Sequence, residues 1–121
     1  MYNHDENAFI NLVKQKSEEE FNMEWLWTWR GRCFGYREGE DLWTYNGRHV
    51  GRFNNDEIYA PDGQYLGEIR NENRLIRNKS KKSKRGNIFT PHTHRAGYTK
   101  HADYAGYAMY AGFEDFPNLE L

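Results

Sequence analysis

The chain has 121 residues and a formal net charge of −1, from 17 Lys or Arg against 18 Asp or Glu, with a single cysteine. That length suits one domain, and an aromatic content of 17% opposes disorder. One cysteine, Cys33, leaves no internal disulfide framework and no Cys-rich zinc site. No apolar run approaches the roughly 18–20 residues of a membrane span. The first 30 residues lack the basic start, apolar stretch and small-residue cleavage site of a signal peptide, so the expected location is cytoplasmic.

The chain divides into three segments, a leader over 1–22, a repeat domain over 23–90 and a tail over 91–121. The leader predicts a helix. Asn3 or Asp5 can cap it, acidic residues near its start suit the dipole, and Phe9, Leu12 and Val13 form a short apolar stripe. Its expected end lies near Ser17–Glu20.

A 16-residue period follows. Residues 25–40 (WLWTWRGRCFGYREGE), 41–56 (DLWTYNGRHVGRFNND) and 57–72 (EIYAPDGQYLGEIRNE) align on five columns. Glycine recurs at Gly31, Gly47 and Gly63, and again at Gly35, Gly51 and Gly67. Leu26, Leu42 and Ile58 share a column, as do Trp27, Trp43 and Tyr59, and Phe34, Val50 and Leu66. Each copy reads as a β-hairpin with a two-residue tip at Arg30-Gly31, Asn46-Gly47 or Asp62-Gly63. That tip places Trp43 opposite Val50 and Leu42 opposite Gly51. The Trp and Tyr column then makes one buried face, and the Leu–Gly pairs crowd a shared axis. A fourth copy begins near Asn73 with RLIRN, is interrupted by a basic run, and is expected to finish with NIFTP. The fold class is mainly β: about four antiparallel hairpins around a pseudo-four-fold axis, with a helical leader and an extended aromatic tail.

The copies WTYNGRHVG (Trp43 to Gly51) and YAPDGQYLG (Tyr59 to Gly67) resemble the 4-fold β-flower proteins, small bacterial or phage-type proteins of hairpin repeats. The resemblance covers about residues 25–90. It implies the flower architecture and brings no established biochemical role.

Four features carry candidate chemistry. The run Arg77–Arg85 holds six cations in nine residues, Arg77, Lys79, Lys81, Lys82, Lys84 and Arg85. Such a run can neutralise nucleic-acid phosphates, or stand as a solvated tip. His92, His94 and His101 offer three imidazoles that could hold zinc and serve a metal-dependent hydrolase, or are ordinary loop residues. Cys33 has no activating neighbour in the sequence, and His49 reads as a hydrogen-bonded structural residue. The tail repeats aromatics at three-residue spacing through Tyr104, Tyr107, Tyr110 and Phe113, preceded by Tyr98. Three residues per turn matches polyproline II and not the 3.6 of an α-helix; the alternative is a short helix using Ala102, Ala105 and Ala108. The row either packs on the hairpins or forms a partner-binding strip. No phosphate-cradling loop, dinucleotide fingerprint or nucleophile elbow is present. The expectation is a non-enzymatic interaction module with no cofactor and no membrane contact. Its partner would be another protein or a second copy, with nucleic acid as the alternative.

Overall fold

The computed structural model describes residues 23–119. The expected leader helix falls on residues 1–22 and lies outside them. Among the described residues no helix is long and apolar enough to cross a membrane.

Among the described residues eight strands form one sheet in chain order: β1 (Met23–Thr28), β2 (Cys33–Glu38), β3 (Asp41–Thr44), β4 (His49–Asn54), β5 (Glu57–Tyr59), β6 (Tyr65–Arg70), β7 (Arg74–Asn78) and β8 (Phe113–Asp115). Sequential neighbours are antiparallel. The sheet closes on itself where Trp27 and Thr28 of β1 pair in parallel with Arg74 and Leu75 of β7. This pairing joins the two strands that would be the edges of an open seven-strand meander, and β8 adds to β7 beyond it.

The tips differ from the expected two-residue turns. The Thr44 amide bonds to the Arg48 carbonyl at 2.9 Å, and the Gly47 amide bonds back to the Thr44 carbonyl. The loop is therefore three residues, Tyr45-Asn46-Gly47, a type I turn followed by glycine at φ +93°. The first and third tips repeat both bonds, Thr28 to Arg32 with Gly31 to Thr28, and Ala60 to Gln64 with Gly63 to Ala60. The longer loop places Trp43 opposite His49, not Val50. A bulge at the next step restores Leu42 opposite Gly51 as expected. The same slip puts Trp27 opposite Cys33 and Tyr59 opposite Tyr65.

The bulge decides which side chains face inward. Leu26, Leu42, Ile58 and Leu75 fill the core together with Phe34, Leu66, Phe53 and Phe116. The Leu–Gly side is thus the crowded interior, as its glycines implied. The Trp27, Trp43 and Tyr59 column is also buried, but under a segment the hairpin arithmetic did not include.

That segment is the connection of the fourth hairpin. β7 pairs not with NIFTP but with β8, through Ile76–Asp115, Arg77–Glu114 and Asn78–Phe113. Between them run a 3₁₀ turn, Lys79–Lys81, and a long extended arm over 86–110 with no helix or strand of its own. The tail expected as a separate segment from residue 91 therefore returns into the sheet as β8, and Phe116 just beyond it enters the core.

Candidate functional site

The arm visits the hairpin tips in reverse order, and its backbone bonds repeat every nine residues. The amides of Gly86, Arg95 and Tyr104 donate to the carbonyls of Gly63, Gly47 and Gly31, at 2.8, 3.0 and 2.8 Å. Three residues further on, the amides of Phe89, Tyr98 and Tyr107 donate to Pro61, Tyr45 and Trp29, at 3.0, 2.7 and 3.0 Å. A nine-residue arm step thus matches a 16-residue hairpin step. The tip glycines allow the approach. A Cβ on Gly47 would run into the Arg95 carbonyl oxygen, and one on Gly31 into the Tyr104 carbonyl oxygen.

Side chains repeat with the backbone. Trp27 stacks on Tyr104 at 3.9 Å, Trp43 carries the Arg95 guanidinium at 3.6 Å, and Tyr59 lies against Gly86. The indole N–H groups of Trp27 and Trp29 donate to the Ala102 and Ala108 carbonyls, each at 2.9 Å. Arg74 fastens the arm at the ring closure. It is buried, donates to the Trp29 and Ala105 carbonyls at 3.3 and 2.9 Å, and lies under the Tyr107 ring at 4.3 Å.

The predicted aromatic row has two faces. Tyr98 packs edge-on against Trp25 and Tyr36, and Tyr107 and Tyr110 both lean on Trp29 at 5.0 Å. Phe113 sits in β8 beside Tyr110. Yet Tyr98, Tyr104, Tyr107 and Tyr110 remain 51%, 47%, 45% and 46% exposed. Each of these residues is thus packed on the hairpins on one side while about half of it stays in contact with solvent.

Much of the basic run is engaged within the protein. Lys81 reaches Glu57 and Glu68 at 2.8 and 2.9 Å, Lys84 reaches Glu57 at 2.7 Å, and Lys82 reaches Glu114 at 3.0 Å. Arg77 lies 3.8 Å from Glu114. Lys81 and Lys84 hold the Glu57 carboxyl down at about 2, well below the ordinary carboxylate range. Lys79 opens the 3₁₀ turn, and Arg85 forms an isolated bridge with Gln64. Both are exposed.

Of the histidines expected to act together, His92 and His94 border one cleft, and His101 lies at another hairpin. His101 stacks on Trp25 at 3.9 Å, near the first hairpin. His92 lies at the second, 4.8 Å from the His49 ring. His94 is exposed and borders a cleft of about 430 Å³ with Val50, Ala60, Leu66, Pro91 and Leu119. Among the described residues, the ligand-type side chains that converge are Asp41, His49 and His92. His49 Nε2 is 3.0 Å from Asp41 Oδ1, and His92 Nε2 is 3.3 Å from Asp41 Oδ2. The His92 backbone amide donates to His49 Nδ1 at 2.9 Å. An imidazole that accepts at Nδ1 carries its proton on Nε2, here directed at Asp41 and the Gly51 carbonyl. In that tautomer Asp41, His49 and His92 are joined as a hydrogen-bonded latch. Burial lowers the His49 pKa, while the Asp41 carboxylate pulls the other way. Cys33, the equivalent position on the first hairpin, is buried, and burial pushes its thiol up. Its amide donates to Asp103 Oδ1 at 2.9 Å.

Hairpin arithmetic missed Trp29, Arg74 and the latch. One signal for the arm was visible: Arg95-Ala-Gly-Tyr98 and Tyr104-Ala-Gly-Tyr107 recur nine residues apart. Residues 2–101 match the family model described as 4-fold beta flower protein. No curated protein and no solved structure matches the chain.

Proposed function

The chain belongs to the 4-fold beta flower family, and from that premise we propose that it is a non-enzymatic docking module whose contact surface is the outer face of the arm. One observation carries this reading. Four tyrosines, Tyr98, Tyr104, Tyr107 and Tyr110, are each about half exposed, on a backbone held by regular bonds to the tips. Aromatic rings already immobilised on one side lose little rotamer freedom on binding, and such rings are enriched where proteins meet. A protein surface is the partner class this favours. The engagement of Lys81, Lys82 and Lys84 by carboxylates leaves less free positive charge for a nucleic acid at the basic run.

The test is co-purification of the native chain against the variant Tyr98→Ser, Tyr107→Ser, Tyr110→Ser, with both checked for the same β-sheet circular dichroism. A partner recovered with the native chain is expected to be lost with the variant. Equal recovery by both would refute the arm face as the contact surface. The same preparation run with Lys79, Lys81, Lys82 and Lys84 replaced by Ser is expected to keep the partner.

A further inference from the structure

The arm crosses three equivalent positions, and the one at the second tip differs in kind from the others. At the position following each tip stand Cys33, His49 and Tyr65. On the first hairpin the backbone amide of Cys33 donates to the arm, through Asp103 Oδ1. On the third the amide of Tyr65 donates to the Lys84 carbonyl at 3.3 Å. On the second a side chain of the hairpin takes part: the arm donates, from the His92 amide to the ring Nδ1 of His49. The acceptor here is a titratable base whose side chain is fully buried, whereas the Asp103 carboxylate that accepts at the first crossing is exposed.

We propose that His49 is a proton-controlled clasp: its unprotonated Nδ1 holds the arm at His92, and acidification frees the arm from the second tip while the first tip keeps its grip. The neutral ring is satisfied on both sides, accepting from His92 N–H and directing Nε2–H at Asp41 and at the Gly51 carbonyl. A second proton must go on Nδ1, where it meets the His92 N–H. Two donors then face each other, the hydrogen bond is lost, and the arm must lift at that point.

The charged and titratable groups around the ring set the balance. Asp41 faces it from β3, where it also holds Arg52 at 3.3 Å and His92 at 3.3 Å. Arg52 opposes a charged ring from β4. From the arm come His92, with His94 on the rim of the adjoining cleft beside Arg48. Arg95 sits over the Trp43 ring that His49 also stacks on. Asp41 favours the imidazolium, while burial and the cations disfavour it, and burial is the largest influence. Release of the arm exposes the ring to water, which relieves the burial.

The sign of the pH effect follows. The docked state holds the imidazole below its ordinary value of about 6.5, so it binds fewer protons than the released state. Docking at the second tip is complete above that pH. It weakens as pH falls, by up to about tenfold per unit until the docked value is reached.

Amide hydrogen exchange on the full chain, corrected for intrinsic rate, reads this directly. The amides of Arg95 and Tyr98 report the second tip, and those of Tyr104 and Tyr107 report the first. Between about pH 7.5 and about pH 5.5, protection of the first pair relative to the second is expected to fall about fivefold or more. In His49→Asn, whose amide oxygen can accept from His92 without titrating, the ratio is expected to stay flat. A flat ratio in the native chain, or the same loss in His49→Asn, would overturn the clasp. Should that variant not fold, ring ¹⁵N spectra of the native protein decide: His49 is expected as the Nε2–H tautomer at about pH 7.5, and the Nδ1–H tautomer would overturn it.

Discussion

The first and third hairpin tips bind the arm through the same pair of backbone bonds, yet bury it to very different extents. At the first tip Trp29 is buried under Tyr107 and Tyr110, Trp27 stacks on Tyr104, and Arg74 ties two carbonyls from below. At the third tip Pro61 stands where Trp29 stood, Gly86 where Tyr104 stood, and Ile88 is 77% exposed. Phe89 there is half-buried and leans on the Arg52 guanidinium at 4.5 Å. The difference separates two roles. Backbone bonds set where the arm lies, since every tip supplies the same two carbonyls. Apolar and aromatic area sets how firmly it lies there, since net hydrogen-bond gains are small and buried ring area is large.

The sharpest way to break the comparison is to remove the ring at each tip. Trp29→Ala is expected to cost about 3–5 kcal/mol, the usual range for a buried Trp. Phe89→Ala is expected to cost about 1 kcal/mol, because only part of that ring leaves water. Urea unfolding of both variants checks this, and equal losses would mean that the first tip is not the stronger anchor.

Backbone approach can be tested apart from ring area. Gly47→Ala is expected to cost about 2 kcal/mol or more, from a positive-φ residue combined with a Cβ driven into the Arg95 carbonyl. Gly39 also has positive φ, at +61°, but a Cβ there meets nothing within 4 Å. Gly39→Ala is therefore expected to cost about 1 kcal/mol, the conformational part alone. Thermal unfolding of the two, with the Arg95 and Tyr98 amide protection, separates the clash from the φ penalty.

An effect as small as that of Gly39→Ala is expected at the root of the arm. Glu57 is held at about 2 by Lys81 and Lys84, so its carboxylate contributes stability above its unfolded value near 4.5 that is lost as pH falls toward 2. Because the lysines are partly solvated, the contribution is about 1 kcal/mol at neutral pH. Glu57→Gln is expected to flatten the stability profile between about pH 5 and about pH 2 by that amount, measured as urea midpoints. An unchanged acid slope would show that the basic run is not fastened through Glu57.

The hairpins were legible in the sequence because their information is local. Glycine at a fixed column marks a turn, and Leu42 opposite Gly51 follows from counting strands on either side of it. The partner of Trp43 was not legible. A three-residue loop and a compensating bulge give the same 16-residue period as a two-residue loop without one, and the period alone cannot tell them apart. The site was less legible still. Tyr98, Tyr104, Tyr107 and Tyr110 stood out as an aromatic row, whereas Asp41, His49 and His92 are far apart in the chain and share no motif. Their meeting depends on where the arm crosses the second tip.

By itself, then, the sequence determined the repeat, its turn positions and its inward Leu–Gly pairs, and it favoured an extended tail because tyrosine recurs there at three-residue spacing. Only the tertiary structure decided that this arm is the opened fourth hairpin, that it girdles the other three tips nine residues at a time, and that β8 returns beside β7. The physical reason is that those facts rest on contacts between distant segments. An extended chain has no internal hydrogen bonds to declare its path, so its course is set by the carbonyls and rings that the folded hairpins present to it.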